Sequence, residues 1–101
     1  MELRIVLVTT GSAEGAERIG HALVEERLAA CANLIPGITS IYHWEGKVQR
    51  EPEALLIVKT TDARLPALIQ RVKELHSYQV PEIIALPITG GSPEYLAWLL
   101  E

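Results

Sequence analysis

Apolar residues fall into short runs along the chain, and the spacing of these runs predicts strands and helices in alternation. Residues 3–10 are a nearly continuous apolar run of strand-forming residues, which is typical of a strand buried on both faces. In residues 13–29 the apolar side chains recur at helical spacing and predict a helix. Ser12 is a good N-cap for this helix, and Gly20 in its interior indicates a close approach to a sheet.

The middle of the chain predicts a long β-hairpin with arms at residues 31–44 and 47–61. Glu45 and Gly46 form a tight turn between the arms, where glycine can take the positive φ that such turns need. At ~3.3 Å per residue, an arm of about 14 residues reaches roughly 45 Å. A domain of this size has a radius of gyration of ~13 Å and is about 30–35 Å across. An unbent hairpin would therefore extend beyond its own domain.

The tip of this hairpin, residues 41–44, is too apolar to remain uncovered in water. Pro36 with Gly37 in one arm and Pro52 in the other permit bends. We expect bends at these sites together with burial of the tip in an oligomer. The alternative is a bent hairpin that packs only on its own domain.

The part of the chain after the turn predicts a central strand followed by a second helix. Residues 54–58 are apolar on both faces, so this part of the hairpin should lie inside the sheet. Asp62 is expected to cap the helix, and Pro66 must lie in its first turn, where a missing N–H matters least. The apolar stripe of the helix consists of Leu65, Leu68, Ile69, Val72 and Leu75.

The last quarter of the chain predicts a connector, a strand and a short helix. The connector is 76–82, and the strand is 83–86 with Pro87 at its end. Ser92 and Pro93 start the final helix as N-cap and first helical residue.

The predicted order is β-α-β-β-α-β with a C-terminal helix, which indicates an α+β, ferredoxin-like fold in one domain spanning residues 1–101. Right-handed crossovers would place the two main helices on one face of a four-stranded antiparallel sheet. The other face then needs cover. Self-association would cover both this face and the hairpin tip.

Composition and charge argue against several kinds of partner and covalent link. The chain has 101 residues and a net charge of −4, which argues against nonspecific nucleic-acid binding. One cysteine excludes an internal disulfide. The sequence shows no apolar leader and no apolar run long enough to span a membrane, so we expect a cytoplasmic protein with no membrane partner.

Among residues that can carry chemistry, His76 is the best candidate. It stands at the end of the second predicted helix, where the helix dipole favours a cation. The alternative is that it only bonds the terminal carbonyls of that helix. His21 is expected to be solvated and His43 to lie at an interface or on the surface, while Cys31 is interpreted as a buried small apolar residue.

A second group of candidates combines Lys59, Tyr78 and Glu82. Glu82 leads into an apolar strand, so its carboxylate is expected to be partly buried, and Lys59 is its natural partner. A pocket containing these three side chains would bind a small anion or a metal ion.

The sequence does not predict an enzyme. It lacks a glycine-rich phosphate-binding loop, a paired-carboxylate motif and a nucleophile–histidine arrangement. Acylphosphatase chemistry on this fold would need a cationic phosphate cradle, and the turn at residues 10–13 has no arginine.

Six segments of the chain stand out as motifs: ERLAACAN at 26–33, IPGITSIY at 35–42, WEGK at 44–47, LIVKT at 56–60, LHSYQVPE at 75–82 and ALP at 85–87. Together they resemble the CutA family of divalent-cation tolerance proteins. The resemblance covers almost the whole chain. It implies a ferredoxin-like homotrimer joined through its strands, with an architecture similar to that of the trimeric PII signalling proteins.

The resemblance also implies a link to divalent metals, notably copper. The ligands proposed in some members are a cysteine in the first strand and a pair of histidines, and these positions are Val8 and Leu75-His76 here. Only His76 retains a metal-binding side chain, and one imidazole does not make a tight site. The family's candidate cleft between subunits would include Lys59, Tyr78 and Glu82, with Trp44 in its wall.

These features lead to two hypotheses. The first is a non-enzymatic trimer that contributes to metal-ion tolerance, with His76 as the metal-binding residue and copper as the metal. The alternative is a PII-like signalling or scaffold module that binds a small anion or a partner at the clefts between subunits.

Overall fold

The computed structural model describes residues 2–101, which form an α+β structure with one four-stranded antiparallel sheet. The strands are β1 (Leu3–Thr10), β2 (Cys31–Trp44), β3 (Lys47–Thr61) and β4 (Ile83–Pro87), in the spatial order β2-β3-β1-β4. The α-helices are α1 (Ala13–Glu25), α2 (Leu65–Leu75) and α3 (Pro93–Leu99), and a 3₁₀ turn at Asp62–Arg64 precedes α2. The predicted order of elements is confirmed.

The main core lies between one face of the sheet and the first two helices. In the β1–β3 ladder Val6 is opposite Val58 and Val8 is opposite Leu56, and all four side chains are buried. Further members of the same cluster are Ile19 and Leu23 of α1 and Leu68 and Val72 of α2. The prediction that residues 54–58 lie inside the sheet is confirmed, because β3 is paired on both sides.

The opposite face of the sheet is only partly covered within the chain. Ile5 and Leu7 of β1 point to this face and are only half-buried. At the edges of the sheet Ile35, Ile84 and Leu86 are 39%, 51% and 45% exposed. Within the isolated chain β1 is therefore fully buried only on the face that packs against the helices. Burial of its second face through self-association stays a prediction.

Helix α1 begins as predicted but ends four residues earlier than expected. The Ser12 side chain accepts a hydrogen bond from the Gly15 N–H at 3.0 Å, which caps the first turn. At the other end Arg27 adopts a left-handed φ of 60°, and the Leu28 N–H donates to the Leu23 carbonyl at 2.9 Å. This arrangement is a Schellman motif, which stops the helix at Glu25.

Gly20 allows the close approach of α1 to the sheet that its position predicted. A Cβ atom at Gly20 would lie 3.1 Å from Leu56 Cδ1 and 3.3 Å from Ala32 Cβ. Leu56 is buried in the core, so these neighbours leave little room for a larger residue.

The entrance to α2 differs from the prediction. Asp62 does not cap this region: Thr61 caps the 3₁₀ turn that precedes α2, since its hydroxyl accepts a hydrogen bond from the Arg64 N–H at 3.3 Å. α2 itself has Arg64 as its N-cap residue and no side-chain capping bond. The Asp62 carboxylate instead accepts a hydrogen bond from Arg4 Nε at 3.2 Å. Pro66 lies in the first turn of the helix, as expected.

The start of α3 is as predicted in position but not in contact. Ser92 is the N-cap residue and Pro93 follows it, yet the Ser92 side chain makes no capping bond to the helix backbone. Its hydroxyl donates to Glu94 Oε1 at 3.2 Å instead. Leu99 is the buried residue of this short helix.

The hairpin extends well beyond the rest of the molecule. The chain measures 45 × 25 × 22 Å and has a radius of gyration of 14.1 Å. Glu45 and Gly46 have φ angles of 52° and 78°, and two positive values in succession are typical of a type I′ hairpin turn. The ladder between the arms shifts register between Ile35 and Ile38, which places an irregularity at Pro36-Gly37, one of the two sites where a bend was predicted. At Pro52, the other site, the ladder stays in register opposite Thr39.

Candidate functional site

A cleft of about 430 Å³ lies between the outer part of the hairpin and the connector that follows α2. Tyr42 and Trp44 come from β2, and since they are two residues apart they project from the same face of the strand. Glu53 of β3 and Tyr78 and Glu82 of the connector complete its polar and aromatic lining. The remaining surface is provided by Thr9, Gln79 and Val80.

Tyr78 crosses the cleft and bonds to the hairpin. Its hydroxyl donates to Glu53 Oε2 at 2.8 Å. Partial burial, together with the hydrogen bond to the negative Glu53, raises the pKa of Tyr78 to about 12. Gly11 makes room for the ring, because a Cβ atom at Gly11 would lie 3.1 Å from the hydroxyl oxygen. The connector is therefore tied to the hairpin and lies against the turn between β1 and α1.

His76 holds the other end of the connector. Its Nε2 is 2.7 Å from the Thr9 carbonyl oxygen, and its Nδ1 is 3.0 Å from the backbone nitrogen of Tyr78. Since the Tyr78 N–H donates to Nδ1, the ring proton must be on Nε2, where it is donated to Thr9. His76 is the C-cap residue of α2, since its backbone N–H donates to the Val72 carbonyl at 2.8 Å. Its side chain does not bond the terminal carbonyls of the helix, so the capping interpretation is wrong for the imidazole. It positions Tyr78 instead.

This geometry bears directly on metal binding. Both ring nitrogens of His76 are engaged within the chain, so ligation of copper would first require one of these bonds to break. Among residues 2–101, no group of three or more His, Cys, Asp or Glu side chains is arranged to hold a metal ion. Val8, the position of the family's cysteine, is buried in the core. Metal binding through His76 stays a prediction.

Lys59 lies apart from the other predicted cleft residues. Its Nζ is 3.0 Å from Asn33 Oδ1 and 3.3 Å from the Tyr95 hydroxyl. Six residues of extended β3 separate it from Glu53, which corresponds to about 20 Å. Glu82 is exposed and not partnered by Lys59, contrary to expectation. Within the chain the structure thus brings together Trp44, Tyr78 and Glu82 but not Lys59.

The remaining candidates lie outside the cleft. His21 and His43 are exposed, and His21 Nδ1 is 3.7 Å from Glu25 Oε1. Cys31 is half-buried, not fully buried as expected, and its Sγ is 3.7 Å from Asn33 Oδ1.

Sequence reasoning missed Tyr42 and Glu53 as cleft residues. The signal was present for Tyr42, because a strand places residues 42 and 44 on one face. Strand alternation could not identify Glu53 as a cleft residue, because its place in the cleft depends on the hydrogen bond from the Tyr78 hydroxyl. That position is fixed by contacts between segments far apart in the sequence.

Comparison with known proteins gives a consistent result. A family model described as "CutA1 divalent ion tolerance protein" matches residues 4–101. The divalent-cation tolerance protein CutA of Thermus thermophilus is 59% identical over 97 residues, covering 96% of this chain and 94% of the relative. The chloroplastic protein CutA of Arabidopsis thaliana is 52% identical over 95 residues, covering 94% of this chain and 52% of the relative, so the chain spans about half of that protein.

Solved structures agree in fold. The divalent cation tolerance protein of Thermus thermophilus superposes with a TM-score of 0.94 at 58% identity, covering 96% of this chain and 94% of the other. CutA1 of Oryza sativa superposes with a TM-score of 0.96 at 49% identity, covering 99% and 92%. A periplasmic divalent cation tolerance protein CutA of Archaeoglobus fulgidus gives a TM-score of 0.92 at 40% identity, covering 96% and 94%.

Proposed function

Because this chain belongs to the CutA1 divalent ion tolerance family, we propose that it acts in divalent-cation tolerance as a non-enzymatic homotrimer. The names of its relatives describe tolerance of divalent cations and no reaction. We assign it to the ferredoxin-like folds as one domain, supported by the βαββαβ order and the strand order β2-β3-β1-β4.

The observation that carries the self-association is the exposed hairpin tip. Ile41, Trp44 and Val48 are 67%, 59% and 68% exposed, although each is a large apolar side chain. Removing apolar surface from water contributes about 25 cal/mol per Å², so burial of such residues against another copy is favourable. A second surface of the same kind is the open sheet face, with Ile35, Ile84 and Leu86.

We propose that copper or another divalent ion is bound weakly, through His76, or affects the protein indirectly. A tight site for such metals usually needs several nitrogen or sulfur ligands. One imidazole whose two nitrogens already bond to Thr9 and Tyr78 supports only a weak site.

Calorimetric titration with copper and zinc tests this proposal, with the mass of the oligomer determined by sedimentation in the same samples. His76→Ala is compared with wild type, and His43→Ala serves as a control because His43 is exposed on the hairpin tip. Metal binding that is lost in His76→Ala and kept in His43→Ala supports direct metal handling. An intact trimer with no metal binding in wild type contradicts it. A monomeric wild-type protein contradicts the proposed assembly.

The second candidate function is a PII-like signalling or scaffold module that binds a small molecule or partner. The cleft that contains Trp44, Tyr78 and Glu82 favours it, since a concave site with aromatic walls and a few polar groups is typical of ligand binding. The small anion expected from the sequence would need Lys59, which in this chain bonds to Asn33 and Tyr95.

The compartment differs among relatives. The Arabidopsis protein is named chloroplastic and the Archaeoglobus protein periplasmic. Within residues 2–101, none of the helices has the length and apolar character needed to cross a membrane. The cytoplasmic location expected from the sequence stays a prediction.

A further inference from the structure

The outer part of the hairpin lies beyond the support of β1. The ladder between β1 and β3 ends where Thr10 is opposite Ala54, so the next residue outward, Glu53, has no partner in β1. In the part of the chain that the structure describes, residues 38–53 of the two arms pair only with each other. This segment, residues 38–53, is called the overhang below. It carries the apolar tip that the proposed assembly would bury.

The overhang begins where the ladder of the hairpin is interrupted. Register shifts between Ile35 and Ile38, and Ile38 is opposite Glu53, so the irregularity lies at the base of the overhang. An irregularity of this kind interrupts pairing and bends the strand that contains it. At ~3.3 Å per residue the overhang reaches about 20 Å from Glu53 to Lys47, so a change of about 10° in its direction moves the tip by about 3.5 Å. The base of the overhang is therefore the place where its direction can change.

One hydrogen bond holds the overhang at this place. The Tyr78 hydroxyl donates to Glu53 Oε2 at 2.8 Å. Apart from the strand ladder, no other hydrogen bond among residues 2–101 joins the overhang to the rest of the chain. Tyr78 is itself held by His76, whose Nδ1 accepts from the Tyr78 N–H and whose Nε2 donates to the Thr9 carbonyl. Thr9 is buried in β1, so these bonds connect the overhang to the centre of the sheet.

We propose that His76 and Tyr78 form a latch that fixes the direction of the overhang and so orients the hairpin tip for self-association. The inference rests on the homotrimer of the proposed function and is independent of its metal-binding part. Every bond of the latch is made within one chain, so the latch does not depend on which surfaces another copy covers. A tip that is already oriented loses less conformational freedom when it binds, which strengthens association. His76 is thus a positioning residue that acts through Tyr78.

Sedimentation velocity over a dilution series of the full chain tests the Tyr78 end of the latch. Tyr78→Phe keeps the ring and removes the hydroxyl that donates to Glu53. We expect the concentration at which half of the chains are dissociated to rise about tenfold, since all three subunits lose the bond. Glu53→Gln is the matched control, because its amide oxygen still accepts from the hydroxyl, and its assembly should stay within about twofold of wild type. A folded Tyr78→Phe protein that assembles like wild type overturns the inference.

A pair of variants tests the His76 end of the latch. His76→Ala removes both bonds of the imidazole, whereas His76→Gln supplies an amide N–H for the Thr9 carbonyl and an amide oxygen for the Tyr78 N–H. We expect His76→Ala to weaken assembly about tenfold and His76→Gln to keep it within about twofold of wild type. This rescue separates a latch from a metal ligand, because copper and zinc prefer imidazole and thiolate to an amide. Equally weakened assembly in both variants, each with the circular dichroism of wild type, contradicts the latch.

The double variant with His76→Ala and Tyr78→Phe distinguishes a latch from two independent structural effects. If His76 acts through the Tyr78 hydroxyl, the double variant should assemble about as well as the weaker single variant. Independent effects would multiply to about a hundredfold and would refute the latch. The mass of wild type separates the two levels of failure. A monomeric wild type overturns the proposed assembly and the latch with it, whereas a wild type that assembles no better than the latch variants overturns the latch alone.

Discussion

Tyr78 is positioned by groups from three separate parts of the chain. Its backbone N–H donates to His76, its hydroxyl donates to Glu53, and its ring lies against the turn at Gly11. Since His76 in turn bonds the Thr9 carbonyl, a short path of hydrogen bonds joins β1, the connector and the hairpin. The aromatic wall of the cleft depends on this path.

The raised pKa of Tyr78 predicts a loss of stability in alkali. The pKa is about 12 in the folded chain, because of partial burial and the bond to Glu53, and about 10 when unfolded. The folded state therefore holds this proton more tightly. The protonated Tyr78 hydroxyl therefore contributes fully to the free energy of unfolding below about pH 10, and this contribution is lost as the pH rises from about 10 through about 12.

Thermal unfolding of wild type and Tyr78→Phe between about pH 8 and about pH 12 measures this effect. The two proteins should differ most at the lower end of this range and converge toward its upper end. Tyr95→Phe controls for the loss of a phenol elsewhere, and its difference from wild type should not show this convergence. A constant difference in unfolding temperature between Tyr78→Phe and wild type across this pH range would contradict a raised pKa of Tyr78.

Single residues were predicted well where the sequence alone determines the contact. The Ser12 cap and the close packing at Gly20 are both of this kind. Arg27 was missed because arginine rarely adopts positive φ, so nothing in its identity marks the end of a helix. Thr61 and Asp62 are both acceptable caps, and the choice between them depends on a distant arginine, which draws Asp62 away.

At the scale of elements, the backbone is strained at Arg27, just after the end of α1, and a substitution there can relieve the strain. Arg27 holds a left-handed conformation that a glycine adopts at lower cost. We expect Arg27→Gly to raise the free energy of unfolding by about 0.5–1 kcal/mol, since the C′ position of a Schellman motif favours glycine. Urea unfolding measures the change.

The control for this prediction is Glu25→Gly, two residues earlier. Glu25 is the last residue of the helix, where glycine adds backbone freedom to the unfolded state and also removes the exposed contact with His21. The free energy of unfolding of Glu25→Gly should therefore fall by up to about 1 kcal/mol. Changes of the same sign in both variants would show that Arg27 is not strained.

The elements themselves were predictable because periodicity reports local conformation. Strand alternation and the Glu45-Gly46 turn defined the hairpin, and the comparison of its length with the domain diameter indicated the overhang that the 45 Å dimension shows. The contents of the cleft were less predictable. Periodicity assigns Lys59 and Glu53 to one strand but does not indicate which of them the connector will meet.

At the scale of the whole molecule, Trp44 is expected to matter more for assembly than for the subunit fold. The side chain is 59% exposed in the isolated chain, so its removal takes away little intramolecular packing. Large aromatic side chains at interfaces often contribute about 2 kcal/mol or more to association. Trp44→Ala should therefore dissociate the proposed trimer at concentrations where wild type remains assembled, as sedimentation velocity would show.

Trp44→Phe is the matched variant for this prediction, because it keeps a ring at the hairpin tip and should keep the assembly. An intact Trp44→Ala trimer with the unfolding temperature of wild type would remove the hairpin tip from the interface.

The sheet order has a consequence for the growing chain on the ribosome. β1 pairs with β3 and β4, and it is synthesised before both because it precedes them along the chain. β2 pairs only with β3. The hairpin can close from its own turn as soon as residue 61 has emerged, but the outer edge of β1 has no partner until residues 83–87 appear. Until then an apolar strand with free N–H and C=O groups is open to a neighbouring nascent chain, and unpaired edges of this kind template aggregation. The order of strands in space thus leaves one edge of the first of these four strands unpaired until the last of them is made.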